Sequence, residues 1–216
     1  MLKLILIIFA IYSVSARIPN ETGANVGKQA VSKASALCFK NTYNKVILEI
    51  LSKSGTVNPN FADSVANLRE FGNTNIDAIV RVNDDIAPEK VCSTVAGALP
   101  KDFYGVVWLH VEIYSFRQEK SKRVPYLDKV ITECFKRGIS TGIFSKLLNW
   151  SEAMGGIFAG SDTLREVPLW YQGLNGHKDF NDWYYNLFGV WPRPAMKEFE
   201  SNVNNCGMKI DGLDFY

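Results

Sequence analysis

Apolar runs alternate along this chain with stretches of helical spacing, which predicts a parallel sheet with helical crossovers. Val46-Ile47-Leu48-Glu49-Ile50-Leu51 reads as a strand. Phe61 to Phe71 reads as a helix through Val65 and Leu68, and Gly72 stops it. Ile76 to Val82 is a second strand, and Pro88 to Leu99 a helix with proline in its first turn. Gly105 to Val111 is a third strand. Tyr126 to Phe135 is an amphipathic helix ended by Gly138, and Thr141 to Phe144 the next strand. After about residue 165 the helical spacing disappears. Val167 to Tyr171, Phe188 to Trp191, Met196 to Phe199 and Ile210 to Phe215 are short strand candidates joined by loops. Residues 17 to about 30 are polar and rich in Gly and Asn, an extended entry segment. The pattern is that of an α/β barrel that begins as β/α units and closes with plain strands.

The stretch G-V-V-W-L-H-V-E, Gly105 to Glu112, has an unbroken apolar run leading to one carboxylate. Side chains alternate along a strand, so Trp108, His110 and Glu112 share one face. An acid at the C-terminal end of such a strand is where a β/α barrel keeps its chemistry. The plain alternative is that Glu112 caps a strand edge.

Met1 to Ala16 has the form of a secretory leader. A short positive start precedes the apolar run Leu4 to Tyr12, and Val14-Ser15-Ala16 supplies a small-residue cleavage site. The expected mature chain is residues 17–216, one domain, soluble and exported, with no membrane span. Loss of Lys3 leaves 23 of the 24 Lys and Arg residues against 22 acids. That balance argues against a nucleic-acid partner. The basic run Arg117 to Arg123 alternates with polar residues and reads as a solvated loop.

Four cysteines and an exported chain predict two disulfides, with three pairings possible. The preferred pairing joins Cys38 to Cys206, near the chain ends, and Cys92 to Cys134, on successive predicted helices. Their wide spacing carries no zinc pattern. Asn20-Glu21-Thr22 and Asn149-Trp150-Ser151 are glycosylation sequons, the first the better placed.

Taken in order, several segments resemble glycoside hydrolase family 25, the Chalaropsis-type lysozymes, in its nematode and amoebozoan branch. Gly105 to Glu112 resembles the family's W-L-D-x-E strand. Thr141 to Trp150, T-G-I-F-S-K-L-L-N-W, resembles G-V-Y-S-x-x-x-x-W, and Val167 to Tyr171 resembles P-L-W-Y. Trp191 to Phe199, W-P-R-P-A-M-K-E-F, resembles W-x-x-P-x-I-K-Q-Y, and Cys206 to Asp211 resembles C-G-x-x-V-D. Val57 to Asn60 adds a match to the V-D-P-N turn. The resemblance implies a modified TIM-like barrel, five β/α units closed by three further strands. It implies cleavage of the β-1,4 bond after N-acetylmuramic acid in bacterial cell walls, with Glu112 as general acid. Asp77 and Asp211 fall on positions the family fills with Asp, and Trp108, Ser145, Trp170, Tyr171 and Trp191 complete the candidate substrate-binding set, the rings by stacking on sugar faces, with burial in the core as the even alternative. No cofactor or metal is implied, and a monomer is expected.

The chain departs from this pattern at its acids. His110 stands in place of the family Asp. The family's opening D-x-S strand corresponds to Ala24-Asn25-Val26-Gly27-Lys28, which has no acid, and Leu48-Glu49-Ile50-Leu51 replaces an I-V-R-A-Y ending. Loss of a positioned anion commonly costs ~10²–10³ in rate. His110 is expected to be a packed, hydrogen-bonded imidazole rather than a metal ligand, since His177, the other histidine, lies far off in sequence. Two functions remain open. One is a secreted lysozyme-like protein of innate defence that acts on or recognises peptidoglycan, with weak or lost muramidase activity. The other is a non-catalytic glycan- or protein-binding barrel with a signalling or structural role.

Overall fold

Eight strands pair in chain order and close into a barrel in the computed structural model, which describes residues 21–215. The predicted leader and the Asn20 sequon lie outside the described residues. The strands are β1 (Glu21–Gly27), β2 (Lys45–Leu51), β3 (Ile76–Arg81), β4 (Val107–His110) and β5 (Thr141–Ser145). They continue as β6 (Leu169–Gln172), β7 (Met196–Asn205) and β8 (Met208–Phe215). Pairing is parallel from β1 through β7. The β8 strand runs antiparallel to both β7 and β1 and seals the barrel.

Helices α1 (Lys33–Thr42), α2 (Phe61–Glu70), α3 (Pro88–Ala98) and α4 (Lys120–Phe135) each follow one of the first four strands. Helices α5 (Leu147–Met154) and α6 (Asp162–Arg165) follow β5. No α-helix separates β6, β7 and β8. The expected architecture, five β/α units plus three closing strands, is the one observed. The preferred disulfides also form: Cys38–Cys206 ties α1 to the β7–β8 turn, and Cys92–Cys134 joins α3 to α4. Among the described residues no helix is long and apolar enough to cross a membrane.

Four local readings differ. The basic run Arg117 to Arg123 is not all loop, since Lys120 to Arg123 form the first turn of α4 ahead of the apolar spacing that marks its buried face. The polar entry segment contains a true strand, β1, because Ala24 and Val26 bury outward while β2 and β8 supply its hydrogen bonds. Helix α1, which sequence reading passed over, is capped by Ser32, whose side chain accepts the Ser35 amide, and it buries Ala36 and Phe39. Phe188 to Trp191 is not a strand. Its two rings pack against Trp150, at 6.0 Å for Phe188 and 5.1 Å for Trp191, so it plugs the gap left by the missing helices.

Two apolar layers result. Outward-facing strand residues pack under the helices, and a smaller inner cluster of Ile47, Ile79, Trp108, Phe144, Trp170, Met196, Leu213 and Phe215 fills the barrel. Gly142 makes room for this filling, since a Cβ there would lie 2.5 Å from the Trp108 ring. Beneath the aromatic rings, at the N-terminal end of the strands, Asp77 accepts from Lys45 Nζ at 2.7 Å, Trp108 Nε1 at 2.9 Å and the Val106 amide at 2.9 Å. Gly105 permits this approach, because a Cβ there would sit 1.9 Å from the Ile76 carbonyl oxygen.

Asp77 is therefore the keystone of the barrel floor, at the end opposite the one where barrel chemistry is kept. Replacing it leaves a nearly buried ammonium unpaired. Asp77→Ala is expected to destabilise the fold by about 3–5 kcal/mol, read by denaturant titration. Whatever folded protein remains should keep its ligand affinity. A loss of affinity at unchanged stability would restore Asp77 to the binding site.

Candidate functional site at the barrel mouth

Strand alternation sends Asn25, Glu49, Arg81, His110, Gln172, Glu198 and Asp211 inward at the mouth, above the apolar filling. Their floor is a stack of rings. His110 lies on Phe144 at 4.3 Å and 27°, Phe144 lies on Trp170 at 3.7 Å and 14°, and Trp108 meets Trp170 edge-on at 5.8 Å.

On one side of the mouth Arg81 joins two carboxylates. Its Nε donates to Glu49 Oε2 at 2.8 Å, and its Nη1 lies 3.2 Å from both oxygens of Glu112. Glu112 lies two residues past the end of β4, and its backbone amide is held by Ser115 Oγ at 3.0 Å across a short 3-10 turn. The His110 Nε2 is 3.9 Å from Glu112 Oε1. Burial, aided by the charges of Arg81 and Lys146, pushes the imidazole down to about 3, so it is neutral at physiological pH. A neutral ring packed between Phe144 and the mouth supplies no anion. Both Glu112 oxygens, meanwhile, face a permanent cation in an ion pair.

On the opposite side Glu198 is 1 % exposed and accepts from Gln172 Nε2 at 2.6 Å. Burial, reinforced by the nearby Asp211 charge, raises its carboxyl to about 8. Asp211 accepts from Asn25 Nδ2 at 3.2 Å and from the Asn202 amide at 3.0 Å, and burial raises it as well. Asp211, Asn25, Glu49 and Arg81 line a polar groove of about 590 Å³ that also includes Lys28 and Lys209.

The other sequence-predicted residues do not gather here. Trp108 and Trp170 lie inside the barrel with their faces covered by neighbouring rings. Trp191 is buried against Trp150 and donates to the Val167 carbonyl at 2.7 Å. Tyr171 is buried outside the barrel and donates to Asp182, and Ser145 donates to the Val111 carbonyl at 2.9 Å. A buried ring offers no face to a sugar, so these four aromatics build the scaffold. His110, Glu112 and Asp211 alone of the predicted set reach the mouth.

Sequence reading missed Arg81, Glu49 and Glu198. The available signal was a charge two residues on from an inward apolar position of the same strand: Glu49 after Ile47, Arg81 after Ile79 and Glu198 after Met196. Glu198 also stands where the motif W-x-x-P-x-I-K-Q-Y has its Gln.

The family model described as "Lysozyme-like protein 1" matches residues 21–199. The chain belongs to this lysozyme-like family, within glycoside hydrolase family 25. It is 28% identical over 200 residues to a probable family 25 lysozyme 2 of Dictyostelium discoideum, covering 86% of this chain and 88% of that one. It is 26% identical over 193 residues to Counting factor 50 of the same organism, covering 86% of this chain but only 62% of the relative. In structure it is similar to a family GH25 lysozyme from Aspergillus fumigatus, with a TM-score of 0.71 at 13% identity over 91% of this chain and 94% of that one.

Glu198 gives a direct check on the electrostatics. Its folded value of about 8 exceeds its ordinary 4.5, so between these values the unfolded chain releases a proton that the folded chain retains. The stability it contributes is complete below about pH 4.5, declines as pH rises and is gone above about pH 8. Glu198→Gln is expected to flatten this decline and stabilise the fold at pH 8 by on the order of a few kcal/mol. Thermal melts of both proteins from pH 4 to 9 would show parallel curves if Glu198 were ionised in the native state.

Proposed function

We propose that the protein is an exported lysozyme-like factor of innate defence that recognises bacterial peptidoglycan, with its muramidase activity strongly reduced or lost. One observation carries this reading: Arg81 ties Glu112 to Glu49, and neutral His110 occupies the position where an anion would steady the developing positive charge. Glycoside cleavage needs a free carboxylic acid at the leaving oxygen and an anion near the anomeric carbon. Glu112 is held in an ion pair and His110 offers no negative charge.

Binding survives this loss in principle. The polar groove at the mouth keeps amide, carboxylate and ammonium groups suited to sugar hydroxyls and acetamido groups. Export is supported by the leader pattern and by the two disulfides, which persist in oxidising compartments.

The expected result is retention on insoluble peptidoglycan, with turbidity loss of purified cell walls at least ~10²-fold slower than with an active muramidase. Rapid lysis that disappears in Glu112→Gln would show a working hydrolase. Failure to sediment with peptidoglycan would favour the second reading, a barrel that binds another glycan or a host protein in signalling or structure.

A further inference from the structure

We propose that the protein pairs with a second copy of itself through an apolar face at the C-terminal ends of β5 and β6, in place of the monomer expected from the sequence. The inference is independent of what the mouth binds. Among the described residues, seven of the eleven exposed large apolar side chains fall between Leu148 and Leu187, a span of about a fifth of those residues.

The chain makes this face continuous. A groove of about 430 Å³ brings Leu148 and Ile157 together with Asn186. Phe158 adjoins Ile157, and Tyr185 and Leu187 adjoin Asn186 on either side. The Gly189 amide donates to the Ile157 carbonyl at 2.7 Å, which holds the two segments against each other. Leu148 is 59% exposed, Phe158 73%, Tyr184 78% and Tyr185 89%. A full aromatic side chain presents roughly 150–250 Å². By that measure these four, with Ile157 and Leu187, offer on the order of 700 Å². The largest apolar patch on an ordinary monomer is roughly 300–600 Å². Each partner of a standard protein interface contributes about 800 Å². The face is therefore large for a monomer and close to what a stable dimer needs.

Its tyrosines stand on a fixed support. They close the 3-10 turn Asn181–Tyr185, in which Trp183 is buried and donates to the Pro192 carbonyl at 3.2 Å. Beneath the turn the fully buried Lys197 ammonium donates to Asn175 Oδ1 at 2.9 Å, to the Asp179 carbonyl at 2.8 Å and to Asp182 Oδ1 at 2.8 Å. Asn186 Nδ2 donates to the Asp182 carbonyl at 2.8 Å. A turn held this way has little freedom left to lose on association. Exposed rings on such a support are the usual anchors of protein interfaces, and Lys146, Ser151 and Gln172 in the groove add hydrogen-bonding groups beside them.

Charge selects the partner. The segments that build the face carry both signs, Lys146 and Lys178 against Glu152, Asp179 and Asp182. An anionic lipid surface selects for clustered Lys and Arg, and these segments carry no such cluster. Both signs on one face can be matched by the same face turned about a two-fold axis. The net charge of +2 gives two copies little cause to repel.

Sedimentation equilibrium from about 1 to 200 μM tests this. The wild-type protein is expected to reach twice its monomer mass within that range. Phe158→Asp and Tyr185→Asp, each at an exposed position, should weaken association at least ~10-fold. Tyr104→Asp changes a 92% exposed ring ahead of β4, at the opposite end of the barrel, and should leave association unchanged. Thermal melts that coincide with wild type show that the variants are folded. A wild-type protein that stays monomeric throughout overturns the proposal, as does a dimer that survives both face variants. Monomers that bind phosphatidylcholine vesicles, with binding lost in Phe158→Asp, make the face a lipid-docking surface and overturn it too.

Discussion

Closure of the barrel forces every second strand residue into a narrow interior, and the rest of the molecule follows from how that interior is filled. The floor is a buried ion pair, Lys45 to Asp77, held under the Trp108 ring. Stacked Phe144 and Trp170 fill the middle and leave no lumen. Of the barrel interior only the top layer reaches the mouth, so its composition sets what the mouth can hold. The filling also explains why conspicuous tryptophans are poor guides to function here: burial takes the ring faces first.

The top layer is divided into two electrostatic halves. On the β2–β4 side an arginine locks two carboxylates together, and a desolvated histidine stays neutral beside them. On the β7–β8 side Glu198 is held as a neutral acid by burial and by the nearby Asp211 charge. The mouth thus retains several acids, and Glu112, just past the end of β4, is held in an ion pair with Arg81. Acid count alone misleads in this pocket, because Glu49 is present and already matched to Arg81. This chain and the solved neighbours it resembles share a scaffold, and what the mouth can bind is set by a few inward side chains.

Much of the fold was legible in the sequence because burial leaves a periodic trace. The runs at Val46 to Leu51 and Ile76 to Val82 became β2 and β3, and the loss of helical spacing after residue 165 marked the three closing strands. Of the three disulfide pairings open to the sequence, the preferred one formed. Legibility failed where burial is one-sided or local. Strand β1 presents polar residues inward and small apolar ones outward, so its alternation resembles a loop. Phe188 to Trp191 has the composition of a strand, yet serves as an aromatic plug.

The sequence by itself determined the family and the barrel, since each is written in side-chain pattern or motif. Only the tertiary structure decided which acids and rings face the mouth. Arg81 sits between Glu49 and Glu112 although they are 32 and 31 residues away in the chain. Parallel pairing brings β2, β3 and β4 side by side, and no local pattern encodes a contact made across separate strands. The burial that keeps His110 and Glu198 uncharged has the same origin, because desolvation is a property of the closed barrel and not of any single segment.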